Sequence, residues 1–212
     1  MCRRNRVELG SLDAGEPMTR TELQELGYIV LIATVPSILQ HGILSHKRAD
    51  HVPHESIAMQ EVQDRRAAVV VPRGQALHEY VNLYINARNP MLYLKRSIYK
   101  TICVLRVDAK VVDLPDVVIT DSNAGSGYVR FSPAPHGLDI VDKERTFAKY
   151  WTHADYRDQL QHKSQMCAEV LVPNVVHPKF ITGAYVSCSD SLAQLKNVAP
   201  NLSATVNGYL FL

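Results

Sequence analysis

The sequence lacks the features that mark membrane-spanning, disulfide-stabilised and zinc-binding proteins. Its longest apolar stretch, near Tyr28 to Pro36, is far shorter than the roughly 20 residues that a helix needs to cross a bilayer. The four cysteines are scattered without paired spacing, which argues against a disulfide framework or a zinc knuckle. The N-terminal segment is basic but has no apolar core of a signal peptide. These absences predict a cytoplasmic protein without a membrane contact.

The chain also lacks a strong excess of charge of one sign and a nucleotide-binding glycine motif. Its formal net charge is only +2, which is too small for general affinity for nucleic acids. No G-x-G-x-x-G follows a predicted strand, so a Rossmann unit is not supported. With 212 residues and 46% hydrophobic composition, the chain can bury one substantial core. We predict a flexible tail over residues 1–20 and a single domain over residues 21–212.

Many short strands and few helices are predicted, and the helices are concentrated toward the N-terminal half, which is typical of the α+β class. Thr34 is a plausible N-cap and Gly42 a plausible C-terminal residue for the first helix. Helices are predicted at residues 34–42, 55–66, 142–150 and 191–198. Strands are predicted at residues 28–33, 68–71, 81–85, 101–107, 117–120, 166–172, 184–188 and 205–211.

Glu169 is the most informative residue, because it interrupts the apolar run from Met166 to Pro173. In a strand, it shares a face with Cys167 and Leu171. An ionised carboxylate among apolar neighbours is costly unless a partner pairs with it or the face lines a cleft. The alternatives are a functional site, a structural ion pair and a glutamate at the solvent edge of the strand.

A second informative tract, between Glu79 and Arg106, combines cations with rings. Phosphates pair with cations while bases stack on aromatic faces, so this composition suits a nucleic acid single strand. The alternative is a solvated surface whose tyrosines lie half-buried in the core. The cations are Arg88, Lys95, Arg96, Lys100 and Arg106, and the rings are Tyr80, Tyr84, Tyr93 and Tyr99.

Five segments together resemble the DarT family, whose members are bacterial toxins that use NAD to ADP-ribosylate a base in single-stranded DNA. The most specific piece runs from Tyr80 to Tyr93, where Y-V-x-x-Y leads into R-x-P-M-L-Y. The resemblance covers roughly residues 26–186. The segments are VPSILQHGILSH (35–46), SIAMQEVQDRR (56–66), LHEYVNLYINARNPMLY (77–93), ITDSNAGSGYVRF (119–131) and CAEVLV (167–172).

The resemblance implies an ADP-ribosyltransferase-like split β-sandwich with N-terminal helices, NAD as substrate and no metal. It maps the catalytic glutamate to Glu169, beside the sugar cation that forms when nicotinamide leaves. It maps an essential arginine to Arg66; from the residues alone, that arginine is simply a favourable cation at a helix end. The stretch from about 128 to 168 corresponds to the loop that faces the acceptor strand. The protein is expected to be a monomer. Its expected partners are single-stranded DNA and a macrodomain antitoxin.

The expected contacts divide between the two substrates, and one part of the family pattern is missing. Where the family commonly has H-x-T in the first strand, this chain has Tyr28, Ile29 and Val30, so only the tyrosine hydroxyl and the backbone remain for NAD. Cys167 also stands where a glutamine is common. The cofactor-binding set is Tyr28, Ile29, Val30, Ser37, Leu44 and Arg66. The DNA-binding set is Arg88, Lys95, Arg96, Tyr150 and Trp151.

Three functions remain open from the sequence. The first is an active DNA ADP-ribosyltransferase that modifies thymine or guanine. The second is a catalytically impaired or acceptor-switched relative that acts on RNA or as a nucleic-acid-binding module. The third is a metal-dependent nuclease, whose four carboxylates would hold Mg²⁺. These carboxylates are Asp113, Asp116, Asp121 and Glu169.

Overall fold

The computed structural model describes residues 17–49 and 60–211. Its strands are β1 (Glu25–Leu31), β2 (Ile43–Leu44), β3 (Tyr80–Tyr84), β4 (Ile102–Asp108), β5 (Val118–Thr120), β6 (Phe131–Pro133), β7 (Glu169–Pro173), β8 (Val175–Val176), β9 (Ile181–Val186) and β10 (Ala204–Val206). Its α-helices are α1 (Val35–His41), α2 (His46–Ala49), α3 (Gln60–Ala67), α4 (Pro90–Leu94), α5 (Lys143–Thr146), α6 (Tyr156–Gln165) and α7 (Ser189–Val198).

Eight strands form one open sheet in the order β10-β9-β4-β1-β3-β7-β5-β6, and β2 pairs separately with β8. All pairs in the large sheet are antiparallel except β10 with β9. Its two halves meet at β1 and β3, which share a single register pair, Gly27 with Tyr84. Beyond that pair the strands diverge. The expected α+β class and split sheet are therefore confirmed.

Strand β4 explains how the sheet is covered on both faces. Its odd-numbered side chains, such as Cys103 and Leu105, lie in the main core. Its even-numbered side chains, Ile102 and Val104, pack instead with Leu92 of α4 and with Phe211. Because side chains alternate across a strand, a sequence that is apolar at nearly every position is what such a two-sided strand requires.

Helix α1 shows how local sequence ends an element beside the site. Gly42 follows its last residue with φ 86° and donates its N–H to the carbonyl of Ile38. A Cβ on Gly42 would lie 2.6 Å from the carbonyl oxygen of Val176, so both the backbone conformation and the space favour glycine. Thr34 is at the predicted N-cap, but its side chain makes no capping hydrogen bond.

Most predicted strands and helices are present with shifted ends. The prediction over 68–71 was wrong, because only an isolated bridge between Val70 and Ala76 forms there. Helix α6 was missed, and it occupies the residues before β7, so strand structure begins at Glu169 rather than at residue 166. The segment predicted at 205–211 divides into β10 and a 3-10 turn. The first part of the helix predicted at 55–66 lies outside the described residues.

The domain assignment stays a prediction, since residues 1–16 and 212 lie outside the described part. Within the predicted tail, however, Met18 is 2% exposed and belongs to the main core, and Arg20 pairs with Asp113 at 3.0 Å. In residues 17–49 and 60–211, no helix combines the length and apolarity needed to span a bilayer.

Candidate active site

The divergence of β1 from β3 opens a cleft between the two halves of the sheet. Residues 28–31 of β1 form one wall, β3 forms the other, and α1 and α3 cover it. All six residues of the predicted cofactor-binding set line this cleft: Tyr28, Ile29, Val30, Ser37, Leu44 and Arg66. Their common location is what a single extended substrate would need.

Arg66 and Glu169 form a buried ion pair at this cleft. The guanidinium Nη1 donates to Oε1 and Nη2 donates to Oε2, both at 3.0 Å. Glu169 is 0% exposed and Arg66 is 6% exposed. Bidentate pairing fixes both planar groups, so the carboxylate is held in one orientation. The two predicted catalytic residues are therefore in direct contact, although 103 positions separate them in the chain.

The position of Glu169 depends on its neighbours in β5 and β3. Glu169 is the register partner of Tyr84, and its N–H donates to the hydroxyl of Thr120 at 3.1 Å. The Thr120 hydroxyl donates in turn to the carbonyl of Ser122 at 2.7 Å. The chain then turns, and the N–H of Ala124 points at Oε1 of Glu169 at 3.4 Å. The loop after β5 is thus closed over the ion pair.

Burial and charge act in opposite directions on Arg66 and in the same direction on Tyr84. Burial disfavours the guanidinium charge, but the charge and hydrogen bonds of Glu169 outweigh it, so the pKa of Arg66 is raised. Burial, aided by the charge of Glu169, raises the pKa of Tyr84 well above its usual value. Burial likewise raises the pKa of Tyr28. Near neutral pH the site therefore contains a charged guanidinium at Arg66 and neutral hydroxyls at Tyr28 and Tyr84.

The backbone of β1 presents only alternate residues to the cleft. The N–H of Ile32 donates to the carbonyl of Thr101, next to the register pair of Leu31 with Ile102. By alternation, the peptide groups of Val30 are directed to β4 and those of Ile29 to the side of β3. Of the two residues predicted to contact a substrate through their backbone, only Ile29 has peptide groups directed away from β4. Val30 lines the cleft but directs its peptide groups to β4.

The predicted DNA-binding residues other than Arg88 lie in two places. Lys95 lines the cleft. Arg96 lies over the ring of Tyr93 at 4.4 Å, and Tyr93 makes an edge contact with Trp151 at 5.5 Å between ring centres. Tyr93 is 44% exposed and Tyr150 is 65% exposed. The structure thus assembles a basic and aromatic surface from α4 and the segment near 150, and it leaves Trp151 half-buried.

Arg88 is committed to protein contacts. Its Nη1 donates to the carbonyl of Lys149 at 2.8 Å, and its Nε donates to the carbonyl of Tyr209 at 3.2 Å. Its guanidinium also lies 4.7 Å from the centre of the Tyr209 ring. Arg88 was predicted to bind DNA, but this geometry favours a role in organising the site over a contact with DNA phosphate. The arginine joins the segment that carries Tyr150 to the C-terminal turn.

Several cleft residues were not singled out as site residues from the sequence. Tyr84 and Asn82 of β3, Met91 of α4 and Asn123 of the loop after β5 all line the cleft. The alternation of β3 placed Tyr80, Asn82 and Tyr84 on one face, and this pattern was the available signal. Nothing local marked Asn123, because its position depends on the packing of its loop.

The carboxylates of the nuclease alternative do not form one cluster. Asp121 pairs with Arg130 at 2.6 Å, Asp113 with Arg20, and Glu169 with Arg66. In the described part of the chain, no group of three or more His, Cys, Asp or Glu residues is arranged to hold a metal ion. These carboxylates therefore do not assemble the magnesium site of the nuclease alternative.

An open split sheet whose cleft is lined by an arginine paired with a buried glutamate is typical of the ADP-ribosyltransferase class of fold. The family model described as "ssDNA thymidine ADP-ribosyltransferase, DarT" matches residues 28–207. The chain belongs to the DarT family.

Relatives and solved structures support this membership. The chain is 32% identical, over 86% of its length, to a DNA ADP-ribosyl transferase–DNA ADP-ribosyl glycohydrolase fusion protein of Thermosipho africanus, of which it covers 47%. It is 31% identical to a DNA ADP-ribosyl transferase of Thermus sp., over 73% of this chain and 77% of that protein. Thermus sp. 2.9 DarT in complex with ADP-ribosylated ssDNA superposes with a TM-score of 0.76 at 26% identity, covering 92% of this chain and 100% of that one. The chain thus spans about half the length of the fusion relative.

Proposed function

We propose that the chain transfers ADP-ribose from NAD to a thymine base in single-stranded DNA and acts as a toxin. The observation that carries this proposal is the bidentate Arg66–Glu169 pair, in which Arg66 lines the cleft between the two half-sheets and holds the buried Glu169. The description of the matching family model names thymidine in single-stranded DNA as the acceptor. The structure of Thermus sp. 2.9 DarT in complex with NAD+ superposes on this chain with a TM-score of 0.72.

The chemistry follows from the position of the carboxylate. The bond between the ribose C1 and the nicotinamide nitrogen breaks, and its electron pair leaves with nicotinamide, so positive charge develops on the sugar. Glu169 stabilises that charge in a site from which water is largely excluded. C1 then bonds to a base nitrogen, which loses its proton, and Glu169 helps to remove it. Arg66 stays charged, so it orients Glu169 and stabilises phosphate or base oxygens rather than acting as a base.

A catalytically impaired or acceptor-switched protein is the second candidate, and the first strand favours it. Val30 supplies no hydroxyl where the family pattern has threonine, and Tyr28 replaces its histidine. The ion pair of Arg66 with Glu169 and the location of the predicted cofactor-binding residues in one cleft favour the active enzyme. The two candidates differ in NAD consumption, which is directly measurable.

The proposed biological setting includes an antitoxin that reverses the modification. The Thermosipho africanus relative combines a DNA ADP-ribosyl transferase and a DNA ADP-ribosyl glycohydrolase in one fusion protein. For this chain we propose a macrodomain glycohydrolase as partner, a cytoplasmic location and a monomeric enzyme.

Labelled NAD and short single-stranded DNAs that each contain one of the four bases test the proposed function. Label should enter the thymine-containing strand alone and should fail to enter duplex DNA. With Glu169→Gln protein it should enter roughly 100- to 1000-fold more slowly. Label in the guanine strand alone would replace thymine by guanine as the acceptor. NAD that is neither bound nor consumed would contradict the enzyme proposal and favour the second candidate.

A further inference from the structure

The cleft is bounded at both ends of β3 by contacts between its two sides. At one end, Tyr84 of β3 pairs with Gly27 of β1. At the other end, Tyr80 pairs with Pro173, the last residue of β7. The chain continues from there into β8, which pairs with β2, the strand that follows α1. The β2–β8 pair is therefore a second junction, between the segment that follows β1 and the half-sheet of β3 and β7.

Asn174 is the single residue between β7 and β8, and its backbone connects the parts of this junction. Its N–H donates to the carbonyl of Glu79 at 2.7 Å, and its carbonyl accepts the N–H of Ser45 at 2.8 Å. Glu79 immediately precedes β3, and Ser45 lies between β2 and α2. Ser45 is 1% exposed, so its N–H would lose a partner that water does not replace if Asn174 turned away. One residue thus connects β3 and α2 to the end of β7.

The backbone of Asn174 has the left-handed conformation, with φ 63°. Steric contacts of the Cβ disfavour this region for most residues, whereas glycine and asparagine adopt it more readily. In the described part of the chain, Arg73 and Asp116 are the other non-glycine residues with positive φ. The two backbone hydrogen bonds of Asn174 therefore depend on a residue type that tolerates this turn.

Side chains of α2 reinforce the junction but contribute less. Arg48 Nε donates to Asn174 Oδ1 at 3.3 Å, and Lys47 Nζ pairs with Glu79 Oε1 at 2.5 Å. Arg48 and Lys47 are exposed, and such surface contacts contribute little because water and salt screen them. The buried N–H of Ser45 is the costlier group to leave without a partner. The backbone conformation of Asn174 is therefore the decisive feature of the junction.

Helix α2 brings the junction to the cleft, because His46 and Ala49 line that space. Tyr80 lines it from the same end of β3. A displacement of α2 away from β3 would therefore widen this end of the cleft. Glu169 lies at the other end of β7, so its pair with Arg66 would stay in place.

We propose that Asn174 is a positioning residue for the cofactor cleft and that it controls the affinity for NAD through α2. Asn174 does not itself line the cleft, so it acts by holding α2 against the half-sheet of β3 and β7. The proposal rests on the proposed function for the identity of the ligand.

Alanine and glycine at position 174 test the role of the backbone conformation, because alanine disfavours the left-handed region and glycine adopts it freely. Calorimetric titration of NAD, without DNA, should show an affinity roughly 5- to 30-fold lower for Asn174→Ala. This range is the change in an equilibrium constant that corresponds to the strain of one such residue. Asn174→Gly should stay close to the native affinity, because it loses only the exposed contact with Arg48.

Asp116→Ala is the matched control. Asp116 has φ 59°, is exposed and lies before β5, outside the lining of the cleft. Its substitution introduces the same backbone strain, so both alanine variants should melt at a lower temperature than native protein. Only Asn174→Ala should also lose affinity for NAD. A merely structural role of Asn174 would lower the melting temperature alone.

Hydrogen exchange without ligand provides a second readout. The amides of residues 43–49 should lose protection in Asn174→Ala, because the strained turn releases the acceptor of the Ser45 N–H. Their protection should be native in Asn174→Gly and in Asp116→Ala. Equal protection in all variants would show that α2 does not depend on this turn and would overturn the proposal.

The affinities themselves can contradict the assignment in several ways. Native NAD affinity in Asn174→Ala, an equal loss in Asn174→Gly or in Asp116→Ala, or no binding of NAD by native protein would overturn it. At saturating NAD, Asn174→Ala should transfer label at the native rate, and a lower rate with native affinity would also overturn it. If the affinities follow the expected order but native protein transfers no label to any strand, Asn174 keeps its assignment and the proposed function fails.

Discussion

At the scale of single residues, the buried ion pair combines a structural role with the proposed catalytic one. Because Glu169 and Arg66 are almost completely removed from solvent, each compensates the charge of the other. Removing one partner of such a pair typically costs about 3 to 5 kcal/mol, since the remaining charge stays buried. A truncation of either residue therefore cannot separate a catalytic effect from a structural one, and isosteric substitutions are needed.

Glu169→Gln keeps the shape of the side chain and an acceptor oxygen for Arg66 but removes the negative charge. We expect the transfer rate to fall by roughly 100- to 1000-fold, which is typical of losing one preorganised electrostatic group. Rates with labelled NAD and a thymine-containing oligonucleotide measure this effect. Thermal unfolding is the control: Glu169→Ala should unfold at a lower temperature than Glu169→Gln. Native turnover in folded Glu169→Gln protein would exclude the assigned role.

Tyr28 provides the second prediction, which concerns NAD. Tyr28 lines the cleft on the strand where the family pattern has histidine. If it donates to the ribose, Tyr28→Phe should weaken NAD binding by about 0.5 to 1.5 kcal/mol, whereas Tyr28→His should retain it. Calorimetric titration of NAD into the three proteins gives these affinities. Indifference to both substitutions would show that the first strand has no hydroxyl contact with the substrate.

At the scale of elements, a histidine pair fixes α6 to the segment that carries the aromatic surface. A carbonyl can only accept, so His162 Nε2 donates to the carbonyl of Arg145 at 3.0 Å, and its Nδ1 is left to accept from His153 Nε2 at 2.6 Å. His153 Nδ1 lies 3.1 Å from a carboxylate oxygen of Asp158. Both ends of the segment from 145 to 153 are thereby attached to α6.

This network predicts a loss of order in acid. Burial, reinforced by the nearby charge of Arg145, lowers the pKa of His162 below its ordinary value of about 6.5. Below about pH 6.5 the unfolded chain therefore binds more protons than the folded one. The stabilisation from the hydrogen bond between His162 and His153 is present above about pH 6.5, and it is lost as the pH falls toward the pKa of His162 in the folded protein. Protonated Nδ1 can no longer accept from His153.

Hydrogen exchange of residues 147–155, corrected for intrinsic rates, measures the effect. Protection should stay constant above about pH 6.5 and should fall as the pH is lowered below that value in the native protein. His162→Gln, which cannot titrate, is the control and should show no such change with pH. Equal acid sensitivity in the two proteins would locate the proton uptake elsewhere.

At the scale of the whole molecule, the two half-sheets are joined at a close approach that only glycine permits. A Cβ on Gly27 would lie 2.6 Å from Cβ of Ala87 and 3.2 Å from Cγ1 of Val104. Neither atom is at the end of a flexible side chain, so the backbone must shift. Because Gly27 is also the register partner of Tyr84, such a shift would change the width of the cleft.

Gly27→Ala should therefore affect stability and NAD binding together. Overpacking of this kind costs about 1 to 3 kcal/mol, and each kcal/mol lowers the melting temperature by roughly 2 to 4 °C in a protein of this size. Affinity for NAD should also fall. Gly127→Ala is a matched control for stability, since its added Cβ meets nothing within 4 Å. A native melting temperature for Gly27→Ala would show that the joint tolerates extra volume.

The sequence by itself determined the elements whose causes are local. The apolar run of β4, the Gly42 that ends α1 and the alternation of β3 could all be interpreted from residues a few positions apart. The R-R pair and the CAEVLV run also identified Arg66 and Glu169 as candidates, by resemblance. Local patterns failed at α6, where a polar helix with no strong apolar face precedes an apolar strand.

Only the tertiary structure decided how these pieces act together. Contact between Arg66 and Glu169, the single register pair at Gly27 and the bonds of Arg88 to two distant carbonyls join positions far apart in the chain. Such contacts depend on strand order and on which surfaces are buried, and local propensity does not encode either one. The same physical reason explains Asn123: its residue type was visible in the sequence, but its place at the cleft is set by the packing of its loop against Glu169 and α6.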